Sequence, residues 1–303
     1  MKILDFTIRK AQAADLPGLL TVMEAAKAGP AGWFVPDGQA YLAAHLEKDG
    51  FILLAEAPDK AAAGFFMAHF PGLSEKNLGR DAGLCEAELA KAAHMDSAAV
   101  LPAYRGHKLQ ARLVAAGERE LAALGYRHLL CTVHPDNAYS LNNLTGLGYA
   151  VARTQEKYGG LPRHILYKSN GPAIAALKYP GLDGYLLSLP GAAKDFKAEW
   201  QWLRYQVGSK LFAALCTPGL EHGVHGGRTM LILKCDPLLA ELYRGQYPEV
   251  VPGFYSDKRC WNSVYLDGGL PPETVWAMAR HSYGLVFGKL TKKAQREILE
   301  GAG

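Results

Sequence analysis

The chain has 303 residues, a hydrophobic share of 49% and a formal net charge of +4 at pH 7. That length favours two domains of ordinary size, and the composition allows a buried core. So small a net charge gives no case for a general nucleic-acid binder. No apolar run reaches the roughly 18–20 residues that span a bilayer. The opening segment Met1 to Phe6 is broken by Asp5 before a signal-peptide core can form. Five scattered cysteines with no Cys-x-x-Cys pair argue against a disulfide scaffold or a zinc ribbon. The expectation is a cytoplasmic protein with no metal and no membrane partner.

In chain order, Ile3 to Arg9 has strand character, and Asp15 offers a cap for a helix reaching Lys27. Ala28 to Gly38 reads as a loop and Gln39 to Asp49 as a helix. Phe51 to Glu56 and Gly64 to Phe70 read as strands joined through the turn residues Ala57-Pro58-Asp59-Lys60. Pro71 to Leu84 is a loop, Glu86 to Ala93 a short helix and Met95 to Val100 a strand. Leu109 to Leu124 has the apolar spacing of a helix and stops at Gly125. His128 to Val133 is a strand, Asn137 to Leu147 a helix, and Tyr149 to Arg153 and Ile165 to Lys168 are strands.

Asn170-Gly171-Pro172 clusters turn residues and divides the chain into domains 1–170 and 171–303. Beyond it come a helix from Gly184 to Leu189, strands within Arg204 to Leu215, and a glycine-rich loop, His222 to Gly227. A strand from Arg228 to Lys234 follows, then a helix from Pro237 to Tyr247 and a strand from Trp261 to Leu266. Helices at Pro272 to Leu285 and Thr291 to Glu300 close the chain. The mixture is α+β, without long βαβ alternation.

The segment His94 to Tyr149 carries the chemistry. An apolar strand runs through the tight turn Arg105-Gly106-His107-Lys108-Leu109-Gln110 into a helix start. The first amides of a helix have no intrahelical partner and its dipole favours negative charge there, so this is an anion site. Arg105 and Lys108 add two cations. Residues 101–170 hold nine Lys+Arg against four Asp+Glu, whereas residues 1–100 hold nine against thirteen. The expected ligand group is phosphate. Solvated helix faces would give the same charge bias.

The run Asp96-Ser97-Ala98-Ala99-Val100-Leu101-Pro102-Ala103-Tyr104-Arg105-Gly106 resembles the GNAT acyltransferases, which move an acyl group from coenzyme A to an amine. The spacing of His134-Pro135-Asp136-Asn137, Ser140 and Gly148-Tyr149 extends the likeness over residues 3–168. Tyr158-Gly159-Gly160 with Arg163 is similar to one branch of the family. The resemblance implies a mixed, splayed sheet with flanking helices. It implies acetyl-CoA as acyl donor and a small-molecule or protein amine as acceptor. Arg105, Gly106, His107, Lys108, Leu109 and Gln110 would hold the pyrophosphate. Ala99 and Val100 would bond the pantetheine arm, with Asn137 and Ser140 on its other side.

Two residues depart from the family pattern. Lys108 and Gln110 stand where the turn has glycine or alanine, and Lys adopts positive φ less cheaply than Gly. Leu144, seven residues after Asn137, stands where many members carry a proton-donating Tyr. Asp96 is then the first candidate for a base that takes the amine proton, with Tyr139 and His134 behind it. The plainer alternatives are a carboxylate satisfied by a loop for Asp96, a helix cap for His134 and packing for Tyr139.

In the second half, Trp200 to Phe212, Leu233-Lys234-Cys235-Asp236-Pro237, Pro252-Gly253-Phe254, Trp261-Asn262-Ser263-Val264 and His281-Ser282-Tyr283 resemble the MmcQ/YjbR family. That likeness implies a frataxin-like antiparallel sheet with helices. Lys258, Arg259 and Trp261 would suit a nucleic acid, but core and turn roles are the favoured reading. His222 and His225 lack a third ligand at metal spacing. The leading expectation is an acyl-CoA-dependent N-acetyltransferase. The rival is a non-catalytic coenzyme A-binding protein whose second domain carries a partner or nucleic-acid site.

Overall fold

The computed structural model describes residues 5–301. They form two compact units that divide between Asn170 and Gly171.

The first unit contains β1 (Thr7–Lys10), α1 (Leu16–Lys27), α2 (Gln39–Glu47), β2 (Gly50–Glu56), β3 (Ala62–His69), α3 (Leu78–Ala82), α4 (Glu86–Leu89), β4 (Ala92–Val100), α5 (Leu109–Ala123), β5 (His128–Val133), α6 (Ala138–Gly146), β6 (Ala150–Lys157) and β7 (Leu161–Ser169). Its strands make one seven-stranded sheet in the order β1-β2-β3-β4-β5-β7-β6. Every neighbouring pair is antiparallel except β4 and β5. β2 and β3 are apolar along their length because both faces of the sheet are covered. On one face Leu19, Val22 and Met23 of α1 and Leu42 of α2 pack on Ile52, Leu54, Phe65 and Met67. On the other, Leu109, Leu113, Val114 and Leu121 of α5 pack on Leu53, Phe66, Ala93 and Leu129.

Gly117 is what lets α5 approach the sheet. A Cβ there would lie 2.2 Å from Cε1 of the fully buried Phe66. Gly117→Ala is therefore expected to destabilise the unit by about 1–3 kcal/mol through overpacking, although alanine is the better helix former by about 1 kcal/mol. Urea unfolding monitored by circular dichroism measures the sign directly.

Two features of β4 shape the unit's cleft. It pairs with β5 only over Ala92–His94 with His128–Leu130 among the described residues, so the two strands part company beyond that point. The ladder with β3 slips between Met67 and Ala68, whose partners are Ser97 and Met95, which leaves Asp96 as the extra residue of a β-bulge.

The second unit contains α7 (Gly171–Lys178), α8 (Leu182–Leu187), β8 (Ala192–Lys197), β9 (Trp202–Val207), β10 (Lys210–Cys216), β11 (Met230–Lys234), α9 (Pro237–Gln246), β12 (Val250–Pro252), β13 (Trp261–Tyr265), α10 (Pro272–Phe287) and α11 (Lys292–Glu300). Its sheet is antiparallel throughout, in the order β12-β13-β11-β10-β9-β8. One face is buried under α7, α8 and α10, where Tyr205, Phe212, Leu231 and Val264 meet Leu186, Val275, Ala279 and Tyr283. The other gathers Trp202, Cys216, Met230, Ile232 and Tyr265. No helix among the described residues is long and apolar enough to cross a membrane.

Several elements differ from the sequence reading. The loop expected over Pro71 to Leu84 holds α3, whose cap is Asn77, its side chain accepting from the Gly79 N–H at 2.8 Å. The helix expected to reach Ala93 stops at Leu89, and β4 already begins at Ala92. The loop read at His222 to Gly227 is largely a kinked 3₁₀ turn over Leu220–His225. In it His225 Nδ1 bonds the Tyr265 hydroxyl at 2.5 Å, and Arg228 lies over the Tyr265 ring at 3.5 Å.

Candidate functional site

The helix α5 starts without a side-chain cap, and Lys108 occupies the capping position. The first helical acceptor is the Lys108 carbonyl, bonded by the Arg112 N–H at 3.0 Å. The amides of Leu109, Gln110 and Ala111 therefore precede the helical ladder and lie at the positive end of its dipole. Gly106 has φ 83° and a Cβ there would meet nothing within 4 Å, so the backbone bends over open space. Arg105, Gly106 and Lys108 are exposed, His107 and Gln110 half-buried, and Leu109 anchors the turn in the core. His107 packs edge-on against Phe6, with ring centroids 5.8 Å apart.

Lys108 has φ 55° and ψ 22°, so a lysine does sit in the left-handed conformation that the turn demands. A non-glycine residue there costs roughly 1–2 kcal/mol, and glycine would give back part of that through the entropy of the unfolded chain. Lys108→Gly is thus expected to stabilise the unit by about 0.5–1 kcal/mol, read as a higher urea midpoint.

Val100 and Ala99 lie at the end of β4 beyond its pairing with β5, and Ala99 is buried against the α1 face. Across the gap, Asn137 caps α6, its Oδ1 accepting from the Ser140 N–H at 3.1 Å. His134 Nδ1 accepts from the Asp136 N–H at 3.2 Å, a turn-stabilising role. Tyr139 is 80% exposed on α6. Leu144 is buried in the α5-side core, so α6 uses that position for packing.

Asp96 stands on the bulge and is exposed to solvent. Partial loss of bulk water at the carboxyl, with Asp37 nearby, pushes it from the ordinary 3.8 up to about 7. The nearby Tyr41 hydroxyl opposes the rise. Asp37 is itself raised by burial. Tyr158 stands close by, its hydroxyl 3.0 Å from Thr132 Oγ1 and its ring 5.5 Å from the Arg163 guanidinium. Arg163 is buried and donates to the Gly32 carbonyl at 2.6 Å, which ties the segment carrying Asp37 to β7. Sequence reasoning assigned no role to Asp37 or Tyr41. Asp37 precedes α2 and Tyr41 lies one turn further on, and nothing local marks them as neighbours of Asp96.

Behind Tyr41 lies a run of imidazoles. His45 Nδ1 donates to the Tyr41 carbonyl at 2.7 Å and its Nε2 lies 2.9 Å from His69 Nδ1. His94 Nε2 accepts from the Leu78 N–H at 2.9 Å, and burial pushes this histidine down to about 3, so it is a neutral cap for α3. Among the described residues no group of three or more His, Cys, Asp or Glu could hold a metal ion.

Residues 21–149 match the model of the acetyltransferase (GNAT) family, and residues 187–285 match the YjbR model. The first unit thus contains a GNAT-type domain and the second a YjbR-type domain. The uncharacterized protein YjbR of Escherichia coli (strain K12) is 29% identical over 116 residues, 38% of this chain and 92% of that protein. The uncharacterized protein YbdF of Escherichia coli O157:H7 is 29% identical over 104 residues, 30% of this chain and 85% of that protein. Among solved structures, the ribosomal-protein-S18-alanine N-acetyltransferase of Escherichia coli is 19% identical, covering 55% of this chain and 94% of its own, with a TM-score of 0.43. The structure of yncA from Salmonella typhimurium with its cofactor acetyl-CoA is 20% identical, covering 55% and 94%, with a TM-score of 0.42.

Proposed function

We propose that the first unit transfers an acetyl group from acetyl-CoA to a primary amine. The observation that carries this reading is a conjunction. The uncapped start of α5 follows the end of the same strand, β4, whose bulge carries the exposed Asp96. The match of residues 21–149 to the GNAT family model supports it.

The residues fit the donor. A diphosphate suits the free amides of Leu109, Gln110 and Ala111, the open space at Gly106 and the Arg105 and Lys108 cations. An amide-bearing arm suits the edge of β4 over Ala98–Val100, where β5 has diverged. Asn137 and Ser140 would approach that arm from α6.

In the reaction the amine nitrogen attacks the thioester carbonyl carbon, a C–N bond forms and the C–S bond breaks. Asp96 is the group we assign to accept the amine proton, since its raised pKa lets it hold a proton near neutral pH. Strand amides near Val100 would stabilise charge on the carbonyl oxygen. Leu144 supplies no proton to the departing thiolate, which takes one from water. The exposed Tyr139 is the weaker candidate for either task.

Buried Leu144 is also the observation that favours a second reading, a coenzyme A-binding protein without catalysis. A thiol-release assay with acetyl-CoA over a panel of primary amines separates the two. Amine-dependent release supports transfer. Thermal stabilisation by coenzyme A without release on any amine supports the binding protein.

A further inference from the structure

One side chain links β4 to α6 beside the point where β4 and β5 diverge. Gln110, the second residue of α5, turns its carboxamide back over β4, and Nε2 donates to the Ala98 carbonyl at 3.3 Å. Its Oε1 accepts from Asn143 Nδ2 of α6 at 2.7 Å. Ala98 lies beyond the last β4 residue that pairs with β5. A primary amide thus occupies a strand carbonyl on the edge where an amide-bearing arm would run. The bridge ties β4 to α6, the two elements flanking that groove. Gln110 is half-buried and Asn143 exposed, so neither is fixed by the core.

We propose that Gln110 and Asn143 form a displaceable strap over the pantetheine groove. An N–H of the arm replaces the Gln110 amide at the Ala98 carbonyl, and the released carboxamide stays on Asn143. The proposal rests on the reading of the first unit as coenzyme A-dependent. The exchange swaps one neutral N–H···O bond for another, so the strap opposes arm binding by the net worth of about one such bond. The strap is a side-chain device. The Gln110 backbone amide at the start of α5 is untouched when the side chain is shortened, so phosphate capture and strap can be separated by mutation.

The experiment is calorimetric titration of the full chain with coenzyme A and, in parallel, with adenosine 3′,5′-bisphosphate, which lacks the arm. Wild type, Gln110→Ala and Asn143→Ala are compared, with melting temperatures recorded to confirm folding. Gln110→Ala is expected to bind coenzyme A about two- to tenfold more tightly, the affinity equivalent of one net hydrogen bond. Its affinity for the bisphosphate should be unchanged. Asn143→Ala should shift coenzyme A binding in the same direction by less. Weaker or unaltered coenzyme A binding by Gln110→Ala overturns the strap, as does an equal shift for both ligands. Absence of coenzyme A binding by the wild type overturns the strap together with the reading beneath it.

Discussion

Replacing Asp96 with asparagine is expected to slow amine acetylation by about 10²–10⁴-fold, the usual contribution of a positioned proton acceptor, while acetyl-CoA affinity stays the same. The side chain is one atom type away from the original and solvent reaches it, so the fold has no reason to change. The pH dependence separates a base from a structural carboxylate. With Asp96 raised to about 7, the carboxylate is protonated and inactive below that value and competent above it, so the wild-type rate climbs through pH 7. Asp96→Asn should lose that limb and retain the ionisation of the amine substrate. Stability moves the other way. A carboxyl whose folded pKa lies above its ordinary 3.8 binds more protons in the folded state, so its contribution becomes less favourable as pH rises toward 7. The asparagine variant should therefore melt higher than wild type at pH 8 and draw level with it in acid. A variant with full activity and the wild-type pH profile would remove Asp96 from the chemistry.

Reversing the charge at Lys108 should damage donor binding. Lys108→Glu removes a charge-assisted contact worth roughly 1.5–3 kcal/mol and sets a carboxylate against a polyanion at the same place. Acetyl-CoA affinity should fall by about 100-fold, since 1.4 kcal/mol is a factor of ten. Glutamate and lysine face the same strain at φ 55°, so folding stability should stay within about 0.5 kcal/mol of wild type. The gap in affinity should narrow with added salt, because exposed charges are screened. A variant that binds acetyl-CoA as wild type does would show that the Lys108 cation plays no part in phosphate capture.

Much of the first unit was legible because its signals are local. His128 to Val133 reads as a strand from an apolar run, and the helix after Lys108 reads from its period and the closing Gly125. The turn at Arg105 to Gln110 reads because cations and glycine precede a helix start. What escaped was marked weakly or decided at a distance. The five-residue α3 is too short to set up a period. In Ala92-Ala93 the alanines suit a helix as well as a strand, and pairing with β5 decides for the strand. β8 is an edge strand of mainly exposed residues, so it carries no buried alternation. In α7, Gly171-Pro172 was read as a breaker, yet proline is welcome in the first turn of a helix. The site divides along the same line. Asp96 was visible as a polar residue on an apolar strand. Its place on a bulge depends on a register slip against Met67 and Ala68, and its neighbours Asp37, Tyr41 and Tyr158 come from other elements. Leu144 was legible as a departure, and the structure gives the reason, since its side chain completes the core beneath α6.

The central claim is that the backbone bend at Arg105 to Gln110 grips a diphosphate. Crystals of the full chain soaked with acetyl-CoA test it most directly. The expected density puts the pyrophosphate on the amides of Leu109, Gln110 and Ala111, with the arm running along Ala98–Val100 toward Asp96. Acetyl-CoA bound elsewhere, or a bend left vacant at saturating ligand, would contradict it.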